Sequence, residues 1–175
     1  MLDRDDKDAN EKYADRFIGG TIYQAFLSPQ DYHRWHSPVD GTIERAVVLP
    51  GSYYAVLPDD GAGEGEELEE GDPRGALIRS QGWLTQSSTR ALIYIRAKNP
   101  DIGLVGFIGV GMAEVSTCEL SVTNGQEVRT VDQLGMFHFG GSSHTLIFEP
   151  KAKVAFFDHV TNGKHIQVNY LLAHV

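Results

Sequence analysis

The chain has 175 residues, 41% of them hydrophobic and 22% charged, which suits one domain with a buried core and excludes a wholly disordered chain. Fifteen Lys and Arg against 24 Asp and Glu give a formal charge of −9, the wrong sign for a nucleic-acid footprint. A single cysteine, Cys118, excludes an intramolecular disulfide framework and a zinc site built on several thiolates, and it favours a reducing compartment. No apolar run approaches the length of a membrane-spanning helix, and the polar start Met1-Leu-Asp-Arg-Asp-Asp-Lys-Asp is no signal peptide. The expected location is therefore intracellular, cytoplasmic or peripheral at a membrane.

Residues 1–19 read as a polar tail; Asp8 to Phe17 offers a short helix with Asp8 or Asn10 as cap, but a frayed tail is expected. From Gly20 the texture turns to β. Strands are expected at Thr21–Leu27, at Thr42–Leu49 before the Pro50-Gly51 turn, and at Ser52–Leu57. Between Asp59 and Asp72, eight acids occur with no Lys or Arg and with four interleaved glycines, which reads as a solvated loop carrying nearly all of the net charge. Further strands are expected at Ala76–Arg79, Arg90–Arg96, Ile102–Val110 and Ala113–Val122, the last ending at an Asn124-Gly125 hairpin cue. Gln126–Val131, Leu134–Phe139, His144–Phe148, Lys153–Phe157 and His165–Leu172 complete the series. The pattern predicts an all-β sandwich or barrel-like domain over residues 20–175, with about ten to twelve short strands and little helix. Gly103, Gly106, Gly109 and Gly111 lie inside an apolar run with no helix after it, so close strand packing or a bulge explains them better than a phosphate cradle.

Three places carry reactive groups. In Asp31-Tyr-His-Arg-Trp-His36, His33 and His36 lie three apart: on opposite faces of a strand, or converging on a turn. Two histidines beside an arginine suit acid–base work or a metal pair, but also an ordinary surface loop. A metal reading would add His138 or His144 as a further ligand. In Phe137-His-Phe-Gly-Gly-Ser-Ser-His144, two glycines ahead of two serines permit a strained turn in which a hydroxyl approaches the preceding carbonyl, or simply join two strands. Cys118, in a strand pattern with nothing nearby to lower its pKa, is expected to be an inert core thiol.

Taken together, Asp-Tyr-His-Arg-x-His-x-Pro-x-x-Gly and, about a hundred residues on, Leu-Gly-x-Phe-x-x-Gly-Gly-Ser-Ser resemble the phosphatidylserine decarboxylase family. The run Val105-Gly-Phe-Ile-Gly-Val-Gly-Met112 and the Gly125-to-Gly135 segment are similar to what the family places between those motifs. The wording Tyr-His-Arg-Trp-His, Ser-Thr-Cys-Glu and Gly-Met-Phe-His-Phe-Gly-Gly-Ser-Ser is most similar to the fungal branch that includes a mushroom L-tryptophan decarboxylase. The resemblance covers residues 20–175 and implies the C-terminal catalytic portion of such an enzyme.

What the resemblance implies is a self-made cofactor. A serine attacks the carbonyl before it, β-elimination splits the chain, and the serine becomes a pyruvoyl group that binds the substrate amine as a Schiff base while CO₂ leaves. The family's Gly-Ser-Thr pattern maps onto Gly141-Ser142-Ser143, which makes Ser142 the nucleophile and pyruvoyl precursor, with Ser143 as the alternative. By the same carry-over, His36 deprotonates the serine and His33 serves the decarboxylation, protonating the product carbanion. No metal is implied. The substrate would be a small amine, phosphatidylserine or an aromatic amino acid, and an N-terminal partner segment or a homo-oligomer is implied. The family's orienting carboxylate comes from an Asp-Gly motif upstream of the histidine segment, with no counterpart in this sequence, and Asp40 matches a different family position. The alternative is a catalytically silent, truncated relative that keeps the β fold without self-processing.

Overall fold

The computed structural model describes residues 13–28, 30–53, 80–112, 117–138 and 142–175. The acidic loop, the Ala76–Arg79 segment, residues 1–12, most of Ser52–Leu57, and Gly141 with its two predecessors lie outside the described residues. The described elements are eleven strands and two short α-helices: α1 (Tyr13–Arg16), β1 (Thr21–Leu27), β2 (Arg34–His36), β3 (Gly41–Leu49), α2 (Gln81–Ser87), β4 (Arg90–Ala97), β5 (Leu104–Gly111), β6 (Thr117–Leu120), β7 (Glu127–Val128), β8 (Gln133–His138), β9 (Ser142–Phe148), β10 (Ala155–Phe156) and β11 (Ala173–His174). A single 3₁₀ turn, Pro150–Ala152, follows β9.

These strands form an antiparallel sandwich. A six-stranded sheet runs β1-β9-β5-β4-β3-β7 and a three-stranded sheet runs β2-β8-β6, with β10 and β11 as a separate pair. The inner core lies between the two sheets. Ile93 and Ile95 of β4, Val105 and Phe107 of β5, and Leu146 and Phe148 of β9 meet Trp35, Leu134 and Phe137 from the smaller sheet. Side chains alternate along a strand, so the intervening residues Leu92, Tyr94, Leu104, Ile108, Val110 and Ile147 form a second cluster on the opposite face. Phe17 completes that cluster, and Tyr13 of α1 stacks flat on Tyr94 with ring centroids 4.1 Å apart. Strands buried on both faces read as near-continuous apolar runs, which is the pattern of β4 and β5.

The structure departs from the sequence expectations in four places. The segment around Phe17 is not a frayed end: Phe17 is buried and Arg16 pairs with Glu149 through Nη2 (2.7 Å) and Nε (2.8 Å). Helix α2 is unforeseen, its buried Leu84 and Thr85 giving too short an apolar period to announce it. Asn124-Gly125 does turn, with Gly125 at φ +83°, but β6 pairs with β8 and β7 with β3, so the turn carries the chain between sheets rather than closing a hairpin. Residues 165–172 are not a strand, and pairing resumes only at β11.

Two contacts hold the site's neighbourhood. Gly109 of β5 faces the inner core, where a Cβ would stand 2.9 Å from Cζ2 of Trp35 and 3.2 Å from Cζ of Phe137, so close packing requires glycine there. Glu149, at the end of β9, accepts the Leu104 backbone N–H at 2.8 Å. Burial alone would raise its carboxyl, but that bond and the Arg16 guanidinium offset it and hold the group below its ordinary value. Two outcomes are expected. Gly109→Ala should cost about 1–3 kcal/mol in urea unfolding, because an aromatic ring rather than a flexible chain end must give way. Glu149→Gln should cost about 1–3 kcal/mol at neutral pH. A carboxylate with a depressed folded pKa stabilises above its unfolded value and loses that contribution as pH falls through the folded one. The gap between variant and parent should therefore narrow in acid, below the ordinary glutamate range.

Candidate active site

Strand β9 begins at Ser142, and its register is fixed on both sides. Ser142 pairs with Leu27 of β1 and Gly111 of β5, and the ladder runs without a shift to Phe148. Because side chains alternate, Ser142 shares the inner face with His144, Leu146 and Phe148, while Ser143 and Thr145 point to the opposite face with Ile147. Both serines are fully buried. The expected strand His144–Phe148 starts two residues early, so the serines belong to the sheet rather than to the turn before it.

Across the sandwich, β2 brings His33 to the inner serine. His33 Nδ1 lies 3.1 Å from Ser142 Oγ, a contact between residues 109 positions apart in sequence. The hydroxyl donates to Nδ1 when Nε2 carries the ring proton. Phe137 of β8 stands edge-on to the His33 ring at 6.4 Å and helps set its plane. His33 Nε2 is buried with no hydrogen-bond partner among the described residues. Ser143 Oγ is also buried and unpartnered, but on the other face of the sheet. Unpaired buried polar atoms of this kind cost about 1–3 kcal/mol each.

His36 is engaged elsewhere, and the serine contact that the resemblance assigns to it belongs in this structure to His33. A bulge between Trp35 and His36 breaks the β2–β8 register. His36 Nδ1 lies 2.7 Å from the Val131 carbonyl, which can only accept, so Nδ1 carries the proton. Nε2 is then free to accept from the Tyr32 hydroxyl at 2.8 Å, and the two rings stack at 5.6 Å. Val131 has φ +77°, a left-handed conformation that β-branched residues rarely adopt, and its N–H bonds the Ser37 carbonyl. This strained turn presents the carbonyl that fixes the His36 tautomer.

The remaining candidates separate. His138 faces outward and pairs with Glu119 at 2.5 Å. His144 stacks on Phe107 at 5.9 Å, and burial pushes its imidazole down to about 4, so it is neutral near pH 7. Among the described residues no three His, Cys, Asp or Glu side chains gather to hold a metal ion. Asp40 is spent on Thr130, accepting from its backbone N–H at 2.7 Å and its hydroxyl at 2.9 Å. Burial pushes the Cys118 thiol up to about 11, which leaves it protonated and unreactive at neutral pH. No helix among the described residues is long and apolar enough to cross a membrane. Sequence reasoning did not single out Tyr32, Val131 or the Trp35 indole as parts of the site. Tyr32 and Trp35 lie within the histidine motif, whereas Val131 carries no local signal.

A buried serine at a strand start, its hydroxyl on an imidazole, is the arrangement of an activated nucleophile. The chain has relatives among decarboxylases. The phosphatidylserine decarboxylase family pattern matches residues 2–174. Decarboxylase iboD of Amanita muscaria is 58% identical over 176 residues, covering 100% of this chain and 49% of that protein. The L-tryptophan decarboxylase of Psilocybe cyanescens is 40% identical over 167 residues, covering 95% of this chain and 38% of that protein. Phosphatidylserine decarboxylase proenzyme 3 of Schizosaccharomyces pombe is 36% identical over 151 residues, covering 86% of this chain and 14% of that protein. The chain thus spans less than half the length of these curated relatives. A match over nearly the whole chain, with the serine and histidine motifs meeting across one sandwich, places it in the phosphatidylserine decarboxylase family.

Proposed function

We propose that this chain is the catalytic portion of a pyruvoyl-dependent decarboxylase that makes its own prosthetic group by breaking the chain between Gly141 and Ser142. The observation that carries the reading is the Ser142–His33 hydrogen bond, which supplies a nucleophile with a base already in contact. The Ser142 hydroxyl adds to the Gly141 carbonyl carbon and gives up its proton to His33. Collapse breaks the peptide C–N bond, the serine nitrogen takes a proton, and an ester joins the two parts. Loss of the Ser142 Cα proton then breaks the Cβ–Oγ bond and leaves a carboxylate on Gly141. The dehydroalanine so formed tautomerises, takes up water and releases ammonia, which leaves a pyruvoyl group.

Once formed, that group supplies a carbonyl which condenses with a substrate amine and accepts electron density as CO₂ departs. The protein's own contribution is position and protons. Ser142 is held at the mouth of β9 by pairing on both sides, so its carbonyl-bearing successor stays on the inner face. His33 remains against it and can return a proton to the product carbon. A small amine bearing an α-carboxylate, as in an aromatic amino acid or phosphatidylserine, is the substrate class. The names of the relatives include both. A silent relative is the competing reading, and an uncleaved chain that stays intact when the family's N-terminal region is added back would favour it.

Two outcomes follow. The purified parent should give two fragments meeting at residues 141 and 142 by intact mass under denaturing conditions, whereas a single species of 19.3 kDa indicates a silent relative or a zymogen that needs a further segment to process. Ser142→Ala should abolish the cleavage and Ser143→Ala should leave it, because the Ser143 hydroxyl faces away from His33. Cleavage of the Ser142→Ala protein would transfer the role to Ser143. His33→Ala should slow cleavage by about 100-fold or more, while His36→Ala should change it far less. The reverse order would restore the division of labour that the resemblance implies, with His36 as the base and His33 reserved for turnover.

A further inference from the structure

Trp35 carries an indole N–H that the fold leaves without a partner. Its side chain is only 3% exposed, and Nε1 is buried with no hydrogen bond among the described residues. Phenylalanine would fill most of the same space with no polar atom, so packing alone does not call for an indole.

The ring cannot turn to find an acceptor. One edge lies against Gly109 of β5, where a Cβ would meet Cζ2 at 2.9 Å and Cε2 at 3.1 Å. The other edge lies against Gly135 of β8, where a Cβ would meet Cε3 at 2.6 Å and Cζ3 at 2.7 Å. Phe137 closes edge-on at 4.6 Å and Phe107 tilts against the ring at 5.5 Å. Both glycines make room for the indole and fix which edge bears on which strand. The edge next to Nε1, containing Cε2, is the one on Gly109.

Gly109 places that edge two register positions from the start of β9. Gly109 is the register partner of His144, which shares the inner face with Ser142, about 7 Å further along the strand. Trp35 also follows His33, the residue before β2, by two positions, and both rings meet Phe137. The nearest cation on that strand, Arg34, bonds the exposed Gln133 side chain at 3.1 Å instead.

We propose that the Trp35 indole N–H binds the α-carboxylate of the substrate, orienting it beside Ser142. This rests on the decarboxylase reading above. A neutral donor suits a carboxylate that is about to leave as CO₂. It fixes orientation by one hydrogen bond, whereas a full positive charge would stabilise the ground-state carboxylate and raise the barrier. Aromatic walls exclude water from the same place.

The test uses Trp35→Phe in the full-length protein. Steady-state CO₂ release is measured with whichever of L-tryptophan, L-phenylalanine or phosphatidylserine vesicles the parent decarboxylates fastest. The corresponding amine product, which lacks the carboxylate, is measured as a competitive inhibitor. The expected result is a KM raised about 10-fold to 100-fold, the range for a hydrogen bond to a charged group, with the amine's inhibition constant unchanged. Equal loss of both affinities, or no change in either, overturns the proposal. If Trp35→Phe does not fold, β-(3-benzothienyl)alanine at position 35 keeps the bicyclic outline, replaces N–H by sulfur and is read in the same way. A parent that releases no CO₂ from any of the three overturns the decarboxylase reading itself, and this assignment with it.

Discussion

The register of β9 is the constraint on which the site depends. Two adjacent serines have the same chemistry, the same burial and nearly the same sequence context, yet only one faces an imidazole. The difference is a property of the pleat: a slip of one residue would carry every β9 side chain to the other face and exchange the two serines. The slip is blocked by apolar residues on both sides of the strand. Leu146 and Phe148 anchor one face in the inner core and Ile147 anchors the other. Hydrogen-bond ladders to β1 and β5 then hold the strand from both edges. Which of Ser142 and Ser143 meets His33 is therefore a consequence of core packing some 10–20 Å along the same strand.

The two histidines show the same dependence on backbone detail. His33 precedes the bulge in β2 and faces inward; His36 follows it and is drawn to the Val131 carbonyl. Its tautomer is set by a residue 95 positions away that adopts a backbone conformation unfavourable for valine. Charge contributes little at the inner site. Ion pairs such as Arg16–Glu149 and Arg96–Glu44 lie at strand ends and on the sheet's outer side, where they tie elements together. The inner face is left to neutral rings and hydroxyls, a low-polarity setting in which a single proton transfer has large energetic weight.

Much of this was legible in the sequence. Alternating apolar segments located β1, β3, β4, β5, β8 and β9 to within a few residues, because those strands carry the core. Of the short strands, β7 and β10 fall inside the longer expected segments Gln126–Val131 and Lys153–Phe157, whereas β2 and β11 escape such a reading, since two or three residues cannot display a period. Helix α2 escaped because its amphipathic signal rests on Leu84 and Thr85 alone. Alternation counted back from Phe148 does place Ser142 on the core face, so the sequence held the geometric reason for preferring it. It could not show which histidine meets that serine. A spacing of three is compatible with either one until the bulge is known, and a bulge is a tertiary compromise with no local signature here.

The two-sided pairing of β9 also bears on what happens to the molecule if its backbone is interrupted just before Ser142. A severed strand at the rim of a sheet would be free to peel away. This one sits between β1 and β5, with its side chains locked into clusters above and below. The two pieces would remain a single folded body, a permanent association of unequal partners that share one hydrophobic interior. Exchange of the smaller piece would require dismantling the sandwich itself. Such an interruption would give the chain a new beginning inside its own interior, with the freedom of a terminus at one atom and the rigidity of a core strand at the next.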